Sequence, residues 1–416
     1  DADNPNFELP VRQADGTLVF PDGPPPSVTY DFTPLPPGAS FDPDTGTLTA
    51  EAGVSLAQII DAFLPRGWFP PVSPGTKFVT LGGMIAADVH GKNHHRDGSF
   101  GAHVSWLDLM LADGSVKRCS PWENFELFRR TIGGMGLSGV ILRAAFRLRP
   151  VESAWMRQET VVAPDLQAAM AAFERADDWT YSVAWIDCLA TGAARGRALV
   201  YKGEHAGLAD LDPERFADPF RLPRRRVRRV PLTPPSWLLN RYTVRAFNNL
   251  YFSRGARAAV APQLVDWDSF FYPLDSVLDW NRIYGRKGFL QFQCVLPPES
   301  AEAGLTALLD ATAGAGMGSF LAVLKKLGPQ ESFFSFPMAG YTLALDFPAS
   351  AKALAFLERL DRIVLDHGGR LYLAKDARMS RETLEASDPR VAGFREARDG
   401  AARQAFNSLQ SERLGL

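Results

Sequence analysis

Cysteine is scarce in this chain, and its scarcity narrows the field. Cys119, Cys188 and Cys294 are the only three among 416 residues. They are odd in number, far apart and without metal-like or redox-like spacing, which excludes a disulfide framework and points to reduced thiols used as small apolar fillers. Long hydrophobic runs are missing too: no stretch approaches the roughly 20 apolar residues of a membrane span, and no secretory signal opens the sequence. Nor is there an excess of charge of one sign. Forty-five Lys and Arg stand against 47 Asp and Glu, a formal charge of −2, so no general attraction to nucleic acid is implied. The expectation is a soluble or peripheral protein of a reducing compartment, cytoplasmic or at a membrane surface, with length enough for two or three domains.

The first segment, from Asp1 to Tyr30, is rich in proline, glycine and acid, and reads as irregular. From Tyr30 to Pro150, strand-like and helix-like periods alternate, and Ala112, Asp113 and Gly114 give a hairpin signal between two apolar runs. From about Val151 to Gly369 the pattern is simpler, with helices at 165–178, 301–314 and 351–369 and strands at 181–190, 288–297 and 340–348. That order fits helices over one face of an antiparallel sheet. Leu357, Leu360 and Val364 form one helical stripe, and Gly368 is its stop. A period of two puts Leu290, Phe292, Cys294 and Leu296 on one strand face, opposite Gln291 and Gln293. Likewise Tyr341, Leu343, Leu345 and Phe347 oppose Thr342, Ala344 and Asp346. Such a polar face is either solvated or a pocket wall.

Three features carry chemistry. The run LGGMIAADVHGKNHHRDGSFG, from Leu81 to Gly101, joins Gly82 and Gly83 to a polar turn with three of the six histidines. Glycines without a Cβ let main-chain amides approach a pyrophosphate, and Gly133, Gly134, Gly136 and Gly139 give a second such turn, although tight packing explains most glycine turns. His90, His94 and His95 lack the spacing and the second cluster of a metal site, so they read as hydrogen-bonding histidines, with no metal expected. Lys375 follows a strand and precedes a helix, where an ammonium either enters a cleft or stays at the surface. A fourth feature is local charge. Arg221, Arg224, Arg225, Arg226, Arg228 and Arg229 occur without an acid, and Trp237, Leu238, Tyr242, Phe247, Tyr251 and Phe252 follow. That mixture suits an anionic lipid surface, at about 1 kcal/mol per cation, or else a solvated loop.

Together PGTKFVTLGGMIAADVHGKNHHRDGSFG, ELFRRTIGGMGLSGVI, GFLQFQCVLP, GYTLALDFP and YLAKDARMS, in this order, closely resemble the flavin (oxidase) subunits of decaprenylphosphoryl-β-D-ribose 2′-epimerases, FAD enzymes of the vanillyl-alcohol-oxidase type. The resemblance covers about Tyr30 to Leu416. It implies an α+β, two-domain fold: an FAD-binding domain from residues 1–152 and 370–416, with a substrate domain of helix-covered antiparallel sheet inserted at 153–369. By motif match, Gly75, Thr80, Gly82, Gly83, Ala87, His90, Ile141 and Tyr372 are expected to contact non-covalent FAD. Gln291, Gln293, Trp185, Lys325 and Thr342 are expected around the substrate, Lys375 as the cation beside flavin and sugar, and His90 in proton handling. The implied reaction oxidises the ribose 2′-hydroxyl of a polyprenyl-phosphate sugar. A separate NAD(P)H-dependent reductase of short-chain-dehydrogenase type then completes an epimerisation, at a bacterial membrane surface.

The sequence also departs from the pattern. The family's first flavin loop, glycine- and arginine-rich and ending in a SYGD-like motif, is not found upstream of VTYDFTPL; either the sequence is a fragment, the reading favoured by a start at Asp1 rather than Met, or flavin affinity is badly reduced. Phe271 stands where the family has tyrosine, Thr342 where it has asparagine, and Ala344 where members sensitive to covalent nitroaromatic inhibitors have cysteine. Two rival readings follow: a soluble sugar-alcohol or aldonolactone oxidase of the same superfamily, and a flavin-free scaffold on a membrane.

Overall fold

The computed structural model describes residues 11–12, 18–19, 36, 38–222, 228–235, 238–398 and 400–416. Val11–Arg12 pairs antiparallel with Leu18–Val19, so part of the segment expected to be irregular forms a short strand pair. Arg224, Arg225, Arg226 and Trp237 lie outside the described residues.

Strands β1 (Ser40–Asp42), β2 (Thr47–Glu51), β3 (Val104–Met110), β4 (Val116–Cys119) and β5 (Val140–Arg147) make an antiparallel sheet in the order β1-β2-β5-β3-β4. The β3–β4 turn falls at the expected hairpin, with Gly114 at φ 81°. Helix α1 (Leu56–Phe63) starts on a capping box between Ser55 and Gln58, and α2 (Leu81–Ala86) starts where Thr80 Oγ1 accepts from Gly83 N. Their buried stripes, Leu56, Ile59, Ile60 and Phe63 with Leu81, Met84 and Ile85, close over Leu48, Ala144 and Phe146 in one core.

An eight-stranded antiparallel sheet follows. Its strands are β6 (Trp155–Ala163), β7 (Tyr181–Ile186), β8 (Ala198–His205), β9 (Gln263–Asp266), β10 (Phe289–Leu296), β11 (Val323–Leu327), β12 (Gly340–Pro348) and β13 (Arg370–Leu371), in the order β9-β6-β8-β7-β11-β12-β10-β13. Helices α3 (Leu166–Glu174), α5 (Pro298–Ala315) and α6 (Ala351–Asp366) cover one face, and α4 (Arg241–Ala258) packs on the other. The helix-covered face holds Phe292, Cys294, Leu296, Leu343, Leu345 and Phe347 against Leu305, Leu308, Leu357, Leu360 and Val364, as the period of two and the helical stripe require. All three cysteines are free and buried, Cys294 within this core. Burial pushes their thiols up, to about 11 for Cys119 and about 12 for Cys188 and Cys294, which suits inert fillers.

Beyond β13, Met379, Leu384, Val391, Phe394 and Leu414 join the same core, and Arg378 forks onto Asp361 of α6. Arg130 Nη1 donates to Ala397 O at 3.0 Å and ties this tail to the first layer. On the opposite face of the large sheet, Tyr181 belongs to the core of the first layer, whereas Leu199, Tyr201 and Trp185 lie under α4. The face left between those two covers is where the polar residues meet.

Candidate active site

The site begins at the end of α2. Asp88 turns the chain with a left-handed backbone (φ 41°), and its Oδ1 accepts from Gly101 N at 2.8 Å. Two residues on, His90 is 5% exposed and stands against the polar face of β10 and β12. Gln293 Nε2 lies 3.0 Å from His90 Nε2 and donates to Thr342 Oγ1 at 3.0 Å. With the amide in that orientation, Nε2 accepts and the ring proton sits on Nδ1. Nδ1 is buried with no hydrogen-bond partner. The ring lies beside Tyr372 and Phe336, which stack on each other at 4.5 Å.

Sheet register sets the rest. Thr342 pairs with Lys325, Ala344 with Gln293, and Asp346 with Gln291, whose Nε2 donates to Asp346 Oδ1 at 3.0 Å. Tyr372 is fixed by its N–H on Gln293 O at 3.0 Å, and Lys375 N donates to Tyr372 O, which places Lys375 within the electrostatic reach of Asp346. The structure therefore brings His90, Gln291, Gln293, Thr342, Lys325, Tyr372 and Lys375 together. Trp185 lies on the same sheet face, one strand beyond β11. Its Nε1 donates to Phe320 O at 3.0 Å and its ring leans on Tyr251 of α4 at 4.7 Å.

The electrostatics are those of a cationic, partly dry cleft. Burial first, then Lys375, holds Lys325 down to about 8. Burial and Lys325 bring Lys92 to about 7, with its Nζ donating to Phe270 O and 4.4 Å from that ring. Lys375 is lowered by burial, against the pull of Asp346. His90 is held well below its ordinary value by burial and then by Lys325, His94 and Lys375, so it is neutral. Burial raises Asp346, with Lys375 and Gln291 opposing.

The other two histidines of the motif go to separate hydrogen bonds. His94 accepts from Gly328 N on Nδ1 and pairs through Nε2 with Gln330 Oε1 at 2.7 Å, and Gln330 Nε2 passes on to Asp88 Oδ2. His95 Nε2 bonds Trp179 O.

The glycine turns correct one expectation. Gly82 N already donates to Ala52 O at 2.9 Å and Gly83 N to Thr80 Oγ1, so neither amide is held ready for a pyrophosphate. Gly82 is needed for close packing, because a Cβ there would stand 2.9 Å from that of Ala52. In the second turn Gly133 N donates to Ile85 O and Met135 N to Ala86 O, and a Cβ on Gly133 (φ 72°) would run into Ser335. This packing opens a recess bounded by Ala87, Gly133, Met135, Phe336 and Tyr372. Gly75, Thr80 and Gly83 are exposed, whereas the Ile141 side chain packs into the first core.

Sequence reasoning missed Lys92 and did not select Asp346. Lys92 sits inside the histidine motif, and Asp346 is on the strand face whose polarity was already visible.

The residues fit a flavin on their own chemistry: a buried, unpartnered His90 N–H, an aromatic Tyr372 wall and a lysine cluster suited to an electron-rich ring edge. Comparison with known proteins agrees. A model described as an FAD binding domain matches residues 24–120. Decaprenylphosphoryl-beta-D-ribose oxidase of Mycolicibacterium smegmatis is 38% identical over 356 residues, 85% of this chain and 77% of that protein. An uncharacterized protein of the mprA 5′ region of Streptomyces coelicolor is 37% identical over 379 residues, 87% of this chain and all of that protein. D-lactate dehydrogenase of Archaeoglobus fulgidus is 33% identical over 137 residues, 31% of this chain and 30% of its own. Fold and site thus define an FAD-dependent oxidoreductase of the vanillyl-alcohol-oxidase type. Within that class, the chain belongs to the decaprenylphosphoryl-β-D-ribose oxidase family.

Proposed function

We propose that this protein oxidises the 2′-hydroxyl of a polyprenylphosphoryl-β-D-ribose to the 2′-keto sugar. The reading is carried by the convergence of His90, Gln293, Thr342, Lys325, Tyr372 and Lys375 on one sheet face, in a chain this similar to the mycobacterial oxidase. The product is a ketone for a short-chain-dehydrogenase-type, NAD(P)H-dependent reductase to finish the epimerisation. When bound, FAD supplies the two-electron acceptor.

The chain's own residues position and stabilise. Lys375 and Lys325 place positive charge where negative charge develops, which a desolvated site makes far more effective than water does. Gln291, Gln293 and Thr342 supply donors and acceptors for sugar hydroxyls, and Trp185 with α4 closes the far end. His90, with its buried and unpartnered Nδ1–H, would supply a donor to the bound cofactor, and Tyr372 and Ala87 wall the recess. Thr80, Gly82 and Gly83 would line the cofactor's route at the start of α2, Gly82 by letting that turn pack closely on Ala52, with Gly75 exposed upstream of it and Ile141 supporting it from the first core. We keep the division 1–152, 153–369 and 370–416. The two sheets support it, although the larger one continues two residues further, through Arg370–Leu371.

A membrane surface is supported by α4, whose 18 residues include no acid and whose exposed side chains include Arg241, Tyr242, Arg245, Leu250, Arg254 and Arg257. Basic charge beside exposed apolar groups, next to the site's mouth, suits a lipid-linked substrate presented from an anionic bilayer. Among the described residues, no helix is long and apolar enough to cross a membrane.

The test is an anaerobic visible spectrum of the FAD-loaded protein. Lipid-linked ribose is expected to bleach it. Bleaching by a small unlipidated sugar but not by the lipid-linked one would replace this reading with a soluble sugar oxidase.

A further inference from the structure

We propose that Asp346 is the catalytic base that takes the sugar hydroxyl proton, an assignment that rests on the oxidase reading above. Oxidation of a secondary alcohol breaks two bonds. The C–H pair must leave as hydride, for which FAD when bound would be the two-electron acceptor, and the O–H proton must go to a group with a free lone pair as the C=O forms.

Geometry narrows the choice. His90 has one nitrogen engaged with the Gln293 amide and presents the other as N–H, so it is arranged to donate. Lys92 is spent on Phe270 O. Lys375 and Lys325 serve as the charged ammoniums facing the developing negative charge and then have no lone pair. Asp346 remains. It is on β12, on the same face as Thr342 and Ala344, directly across from Gln291. Gln291 Nε2 holds Oδ1 at 3.0 Å, Ser319 Oγ accepts from its backbone N–H at 3.1 Å, and the residue is 6% exposed. Around the carboxylate stand Lys375 from the loop after β13, Tyr284 from the loop before β10, and Gln291. Lys325 on β11 acts through Lys375. A carboxylate buried without a bidentate arginine, amid lysines and amides on a substrate-facing wall, has the placement of a working base.

The experiment uses the FAD-loaded full chain, mixed anaerobically with polyprenylphosphoryl ribose, with bleaching followed against pH. For the wild type, the rate is expected to rise with pH through an apparent pKa above the ordinary carboxylate range. Asp346→Asn is expected to slow bleaching at least 100-fold, change KM less than threefold and abolish the acid limb. Asp346→Glu is expected to restore part of the rate. His90→Asn is expected to lower the rate and keep the limb. Independently of turnover, infrared difference spectra of the sugar-reduced enzyme should show a new protonated-carboxyl stretch that Asp346→Glu shifts; this holds the test together if the Asn variant loses flavin. The proposal is overturned if the limb survives Asp346→Asn, if it vanishes instead in His90→Asn or Lys325→Met, or if the whole defect lies in KM. A wild type that lipid-linked ribose does not bleach overturns the oxidase reading and the base with it. A wild type that bleaches while Asp346→Asn stays near normal overturns the base alone.

Discussion

Lys325 illustrates how a residue of ordinary chemistry becomes useful. Burial removes water from its ammonium, and Lys375 adds repulsion, so it titrates near 8. Lys375→Met should therefore move Lys325 upward toward the ordinary lysine value, by a fraction only, because burial is the larger cause. NMR titration of 13C-dimethylated lysines reads this directly, and an unmoved Lys325 resonance would mean that the two ammoniums do not share a field. Ala344 gives a second residue-scale test. It pairs with Gln293 on one side and Val323 on the other, at the centre of the polar face, with a methyl where a nucleophilic thiol would be needed. Nitroaromatic inhibitors that depend on a cysteine there should leave the wild type at its native mass, whereas Ala344→Cys should gain the adduct. An adduct mapped to wild-type Ala344 would contradict this placement.

At the scale of elements, α4 differs from its neighbours. Helices α5 and α6 were readable in the sequence because each buries a continuous apolar stripe. Only Val244 and Asn248 are buried in α4. Periodicity gives little signal for such a helix, and it was foreseen only as a basic and aromatic stretch. What fixes it is polar: Asn248 Nδ2 donates to buried Asp187 Oδ1 at 2.7 Å, and Arg197 forks onto Asp187 Oδ2. Strands β10 and β12 are the opposite case, legible face by face because one side is apolar and the other carries Gln291, Gln293, Thr342 and Asp346. The partners of those polar side chains were not legible, since His90 is about 200 residues from Gln293. Asn248→Ala should cost about 1–3 kcal/mol, the penalty for leaving a buried hydrogen-bonding group short of a partner. Its effect should concentrate in α4, seen as faster amide exchange across Arg241–Ala258 and a raised KM with kcat nearly kept. Uniformly faster exchange over the whole chain would show that Asn248 serves global stability and not the seating of α4.

The whole molecule is joined by an aromatic seam between its two sheets, and His205 is the histidine inside it. Phe69 from the first layer lies 5.0 Å from the His205 ring, Tyr181 OH meets its Nε2 at 3.2 Å, and Phe271 and Trp267 extend the seam. Nδ1 is buried and unpartnered. Burial, then the nearby Arg149, pulls this imidazole down to about 3. The unfolded chain, with an ordinary histidine near 6.5, takes its proton first as pH falls. The contribution is therefore complete above about 6.5 and is lost on acidification, at about 1.4 kcal/mol per pH unit down to the folded value. His90, His94, His95 and His103 are lowered in the same direction and steepen the loss. Buried Asp346 and Asp361, which are raised, oppose it, and they do so equally in any His205 variant. Chemical denaturation at matched FAD loading should thus show stability falling from pH 6.5 to 5, with His205→Phe reducing that slope by about one proton. An identical slope in the variant would place His205's proton elsewhere and deny the seam its role in acid sensitivity.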